Sequence, residues 1–184
     1  RTVGIVYWIS WIINILFILI SFASIEGYDL RTYYNSDTLY LASLYKDLFT
    51  DHTGLSGWHL NAAPNFFPDM SLYFIINAIF EDFRTAYLVY SGIQYLIILA
   101  LLNVLLKTIK QNVNVNYLTL VNLIFPVFLM VAFLSNYFIY TYYLFSHSFH
   151  TGMFINVLLA LIFFFSYIRK KRKYALWLTA FITL

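Results

Sequence analysis

From position 3 to position 23 the chain carries no charged side chain. A helix over that run reaches roughly 31 Å, enough to cross the hydrocarbon core of a bilayer. Within lipid, a backbone must satisfy its own amides and carbonyls, so a run of this kind has few options other than helix. Comparable runs recur at about 86–106, 118–140 and 151–168, and a further one occupies 174–184. The first run ends in Ser21 and Ala23, small residues of the kind a signal peptidase accepts. It is nevertheless longer than the ~7–15 apolar residues of a signal peptide, and is read as a retained span.

Composition follows the same line. Hydrophobic residues make up 62% of the chain and charged ones only 10%, against about 25% charged in a soluble domain. There is no cysteine, which excludes disulfides and thiolate metal sites. The formal charge of +3 does not imply a nucleic-acid partner, because the basic residues flank apolar runs as topology determinants do. No nucleic acid is expected; membrane lipid is.

The placement of charge orients the chain. Arg1, Lys107, Lys110 and the five residues Arg169, Lys170, Lys171, Arg172 and Lys173 fall on one side if the spans alternate. The positive-inside rule makes that side cytoplasmic. All eight acids then lie outside, within the loop 24–85, and His52, His59, His147 and His150 share that side. The expected protein is an all-α, polytopic transmembrane helix bundle in an inner or plasma membrane. Its N-terminus is cytoplasmic, and its large first outer loop carries two juxtamembrane helices. The eleven residues 174–184 reach only roughly 16 Å, half a bilayer. The chain is therefore expected to be the N-terminal part of a longer protein, read as a single transmembrane domain over 1–184.

In the outer loop, Asn35, Ser36 and Asp37 offer capping side chains. Behind them Tyr40, Leu41, Leu44, Tyr45, Leu48 and Phe49 recur at helical spacing. The pattern predicts an amphipathic helix lying on the membrane surface. Pro68 can open a second helix, and the apolar run after it is too short to cross. It is expected to pack under the loop and lead into the next span.

Asp37 follows the first span closely enough to sit just above the membrane. A carboxylate there can act as a general base or hold a divalent cation; it can equally cap its helix. Asp69 begins the second helix, and the same two readings apply. Together they suggest two acids converging across a stiff aromatic loop that contains Trp58 and His59. Arg84 is a natural phosphate partner, with a headgroup-facing charge as its other reading. His147 and His150 supply at most half a zinc site, and no H-E-x-x-H pattern is present, so no metal ligand set is assigned. Hydrogen bonding to a ligand phosphate, or an interfacial position, suits them better.

The plan resembles the GT-C class of membrane glycosyltransferases. The resemblance is carried by Asn35-Ser36-Asp37-Thr38-Leu39-Tyr40-Leu41, by Asp47-Leu48-Phe49 and by Phe67-Pro68-Asp69-Met70. It implies a polyprenyl-phosphate-linked sugar donor and transfer on the extracytoplasmic side. It also implies Asp37 as the catalytic base and Asp69 as a second catalytic-loop acid. Some members require a divalent cation such as magnesium or manganese and others do not, so the resemblance fixes no cofactor. An Asp-Glu pair often seen at the first acid is absent here, since Thr38 follows Asp37. Arg84, Trp58, His59, His147 and His150 are the expected substrate-binding residues. The alternative is a non-enzymatic membrane subunit or transporter fragment, assembling with further membrane subunits, whose outer loop binds a partner or solute. Transporters place charge at mid-membrane depth. The spans here hold only Asn14, Gln94, Asn103, Asn122 and Asn156 as strongly polar residues, which counts against an ion-coupled carrier.

Overall fold

A computed structural model of the chain describes residues 2–25, 36–58, 66–110, 112–134, 148–171 and 173–183. Among these the regular elements are all helices, with no strand. Helix α1 spans Thr2–Ile25 and α2 spans Ser36–Tyr45. The chain then makes one wide turn, Lys46–Thr50, closed by the Asp51 amide donating to the Lys46 carbonyl at 2.8 Å. A second wide turn, Phe66–Met70, leads into α3, Ser71–Ile79. Four helices complete the chain: α4 (Phe83–Ile109), α5 (Val115–Leu134), α6 (Ser148–Lys170) and α7 (Lys173–Thr183).

Each apolar run predicted as a span falls on one of α1, α4, α5, α6 and α7; the 135–140 end of the third lies outside the described residues. Two helices among the described residues, Phe83–Ile109 and Thr151–Lys170, are long and apolar enough to cross a membrane. The start of α4 is set by Asp82. Its backbone is extended and its carboxylate accepts from the Thr85 amide at 2.8 Å and the Thr85 hydroxyl at 2.7 Å. That is an N-cap. The same bonds, formed to the charged carboxylate, hold it below its ordinary pKa. Pro126 sits inside α5, and the helix continues through it.

The long helices pack in pairs, α1 on α5 and α4 on α6, with α7 folded back on α6. Three of the span asparagines have one purpose. Asn14 of α1 donates to the Ser10 carbonyl at 2.7 Å and to the Asn122 carbonyl of α5 at 3.0 Å. Tyr95 of α4 donates its hydroxyl to Asn14 Oδ1. Asn103 of α4 donates to Asn122 Oδ1 at 2.7 Å, and Asn122 donates to Ser10 Oγ at 3.1 Å. Ser10, Asn14, Tyr95, Asn103 and Asn122 are all buried, so this neutral net clamps α1, α4 and α5 together. The spacing Ser10 to Asn14 is one helical turn and puts both on one face.

The outer helices differ from the surface-lying arrangement predicted for α2. Its apolar side faces protein, because Leu41 and Leu44 are buried. Leu41 joins Tyr73 and Ile76 of α3 and Ala86, Tyr87 and Tyr90 of α4 in one cluster. The physical reason is that α3, too short to cross, leaves an apolar flank that α2 covers. The turn after α2 adds aromatic contacts, with Tyr45 and Phe49 both packed edge-on against Phe74 at 5.5 and 5.4 Å. Between α2 and α3, Gly54 and Gly57 take left-handed φ values of 71° and 87°, which favour glycine.

Candidate functional site

Asp69 is the one acid that the fold encloses among the described residues, at 2% exposure. It stands in the turn before α3, two residues ahead of the first residue of that helix. The residue at the N-cap position of α3 is Met70, which makes no side-chain cap. Asp69 itself stands in the first turn of the helical segment that runs into α3, and its carboxylate is turned toward α4. Its Oδ1 accepts from the Tyr90 hydroxyl at 2.8 Å and from Gln94 Nε2 at 2.6 Å, both on α4. Gln94 Nε2 also donates to the Tyr90 oxygen at 2.7 Å. Tyr90 and Gln94 are one turn apart on α4 and so share a face.

The other side of the carboxylate rests on α6. A Cβ built on Gly152 would fall within the carboxyl group of Asp69, onto Oδ2 and Cγ. The absence of a side chain at Gly152 is what admits the acid between α4 and α6. One turn further along, Asn156 Nδ2 donates to the Phe67 carbonyl at 2.9 Å. Ser71 Oγ donates to the Pro68 carbonyl at 3.0 Å. The irregular turn thus has two of its carbonyls taken by side chains. Asn156 Oδ1 is buried with no partner in the described structure. Around the acid, Tyr73, Tyr87 and Tyr90 stack as tilted and edge-on pairs 5.5–6.4 Å apart.

Burial dominates the electrostatics. Removal from water disfavours the charged carboxylate and pushes Asp69 up from 3.8 to about 7, against the opposing pull of the Tyr90 and Gln94 hydrogen bonds. Tyr73, buried beside it, is also pushed up, by desolvation first and Tyr45 second.

The other expected site residues are placed as follows. Asp37 is in the first turn of α2, and α2 packs on α3 and α6, the same two helices that the Asp69 turn touches. The Asp37 side chain lies outside the described residues. Trp58 is committed to the loop: its indole N–H donates to Asp47 Oδ2 at 2.8 Å, and its ring meets Tyr40 edge-on at 5.4 Å. Arg84 is half-buried in the first turn of α4, next to the Asp82 cap. His59 and His147 lie outside the described residues. His150 is in the first turn of α6, two positions before Gly152, with its side chain outside the description. Among the described residues no three His, Asp or Glu side chains gather into a set that could hold a metal ion.

Tyr90, Gln94, Gly152 and Asn156 were not singled out as site residues by the sequence. Gln94 and Asn156 are conspicuous as polar residues inside apolar runs, and Gln94 has Tyr90 one turn back on the same face. That spacing of Tyr90 and Gln94 was the available signal, and Gly152 carried none. In comparisons with known protein families, curated proteins and solved structures, nothing matches this chain.

Proposed function

We propose that the chain is part of a polytopic membrane glycosyltransferase, using a polyprenyl-phosphate-linked sugar on the extracytoplasmic side. Supporting the membrane part are the two helices of spanning length and the outward apolar faces of α1 and α5. Trp8, Ile12, Leu16 and Leu19 on one, and Leu120, Ile124, Val127 and Phe128 on the other, are exposed. A water-soluble surface rarely shows contiguous apolar patches of that extent. The transferase part rests on one observation: the helix that carries Asp37 in its first turn and the turn bearing Asp69 both pack on α6.

In this reading an acceptor hydroxyl attacks the anomeric carbon of the donor sugar. The bond from that carbon to the phosphate oxygen breaks, and the lipid phosphate leaves with the electron pair. Asp37 takes the hydroxyl proton, and Arg84 neutralises the phosphate. Asp69, enclosed by Tyr90, Gln94 and Gly152, serves as a positioning residue that holds the loop on α4 and α6. The test is sugar transfer from a panel of polyprenyl-phosphate donors by membranes carrying the full-length protein. Asp37→Asn should abolish transfer at matched expression; unchanged transfer would remove Asp37 from this role.

A second reading, a membrane protein that binds a solute or partner without catalysis, is favoured by a different observation. The sequence argued against an ion-coupled carrier because its spans hold no charge. Asp69 brings a carboxylate alongside two of those helices from a neighbouring segment. Buried acids of that kind mark proton and ion pathways. Transfer activity lost in Asp37→Asn decides for the enzyme.

A further inference from the structure

The partners of Asp69 fix how far the turn before α3 reaches along the bundle. Gln94 lies ten residues after Arg84 and thirteen before Lys107 on α4. It is therefore about 15 Å of helix from one terminal charge and about 20 Å from the other. On α6, Asn156 is likewise thirteen residues before Arg169. The guanidinium of Arg169 donates to the Thr108 carbonyl at the end of α4, so the two helices are level there. Two independent contacts, Asp69 with Gln94 and Phe67 with Asn156, put the turn at one height.

That height can be set against a bilayer. The 27 residues of α4 extend about 40 Å, some 10 Å more than a hydrocarbon core of about 30 Å. If all the excess projected outward, the outer boundary would fall near Tyr90, and Gln94 would still lie about 6 Å below it. If the excess were shared, Gln94 would be deeper. The loop gives a separate marker. Phe49 packs on Phe74, while Lys46 and Asp51, close to Phe49 in the chain, form an exposed ion pair at 3.3 Å. A boundary at the level of Phe74 leaves Asp69 about 8 Å beneath it, since five residues of turn and helix separate them.

From these heights we propose that Phe66–Ile79 is a re-entrant segment. Its deepest part is the turn that bears Asp69, from which α3 climbs back along α4 to the outer side, with Phe66 and Phe67 against lipid acyl chains. The inference rests on the membrane part of the reading above and not on the transferase part. Four further observations fit it. The segment has fourteen residues and is apolar throughout except Asp69, Ser71 and Asn77, a length suited to re-entrant rather than spanning elements. Phe66 and Phe67 are 58% and 57% exposed at the deepest point, where a water-facing turn would carry polar residues. At the same height α6 turns Met153 and Val157 outward, so the surroundings there are apolar as well. Finally, non-helical backbone survives at membrane depth only where protein satisfies it, and Asn156 and Ser71 do this for the Phe67 and Pro68 carbonyls.

The cysteine-free sequence allows a direct test with single cysteines in the full-length protein, reconstituted in phosphatidylcholine vesicles. Each cysteine is labelled with a small fluorophore and challenged with lipids carrying a nitroxide either at the headgroup or midway down the acyl chain. Val157→Cys on α6 reports the bilayer interior and Ser56→Cys in the outer loop reports water. Phe67→Cys, with Phe66→Cys as a second site should the first misfold, should lose fluorescence to the acyl-chain nitroxide as Val157→Cys does. Ile79→Cys, at the return end, should respond more to the headgroup nitroxide. If Phe66→Cys and Phe67→Cys behave like Ser56→Cys while Val157→Cys is quenched from the acyl chain, the segment lies outside and the inference is overturned. If Val157→Cys also escapes quenching, the membrane reading falls and the inference with it.

Discussion

Two buried polar networks hold this chain together, and they differ in one chemical respect. The clamp of Ser10, Asn14, Tyr95, Asn103 and Asn122 joins α1, α4 and α5 with neutral amides and hydroxyls. The network around Asp69 joins a loop turn to α4 and α6 through Tyr90, Gln94 and Asn156, and its central acceptor is a carboxylic acid. Both pair most of their polar groups out of water, and each leaves one amide oxygen without a partner among the described residues, Asn103 Oδ1 in the first and Asn156 Oδ1 in the second. Only the second can change charge near neutral pH. Long-helix packing here is insulated from pH, whereas docking of the outer loop is coupled to it.

The largest effect that would test this contrast is the pH dependence of stability. Burial raises the Asp69 pKa from 3.8 to about 7, so the folded chain keeps a proton that the unfolded chain has lost across that window. The stabilisation is fully present at low pH and declines as pH rises through that window. Unfolding followed from pH 4 to pH 8 should show this fall, and Asp69→Asn should flatten it. An equal slope in Asp69→Asn would assign the titration elsewhere.

Next in size is Gly152→Ala. Alanine normally favours a helix by about 1 kcal/mol over glycine, but here its Cβ would meet the Asp69 carboxylate. A loss of about 1–3 kcal/mol is expected instead, turning into a gain when Asp69 is replaced by glycine in the same chain. Equal effects of Gly152→Ala in both backgrounds would show that the two positions do not touch. Asn122→Ala should remove two clamp bonds and cost about 1–2 kcal/mol, with the same value at pH 5 and pH 8; a pH-dependent cost would break the distinction between the networks. The smallest effect is Asp82→Ala at the start of α4, worth about 1 kcal/mol of capping. It should leave the Asp69 titration untouched when both are measured in one pH series.

The four long helices were legible because each leaves a long apolar run, closed on α4 by Lys107 and on α6 by Arg169. What α2 packs against was not: a single amphipathic pattern at Leu41 and Leu44 fits a lipid surface and a protein surface equally well. Asp69 was flagged, with helix-start and site readings both open. The choice between them required Tyr90 and Gln94, which lie beyond α3 in the chain. Gly152 gave no sign of its function, because a glycine in an apolar helix has no pattern that reveals what presses on it. His59 and His147, along with the side chains of Asp37 and His150, fall outside the described residues. Their expected roles stand as sequence readings.

The notch at Gly152 has a consequence for how this chain can drift over generations. A residue of α6 and a residue of the turn before α3 occupy one volume between them, so neither position is free to vary alone. Any lineage that gains a side chain at 152 must shorten the residue at 69 first or lose the docked turn. An acid at 69 in turn commits its descendants to glycine at 152. Across a family, the two columns should change together or not at all, and a pair that changes separately would mark a branch in which the outer loop has found another way to sit.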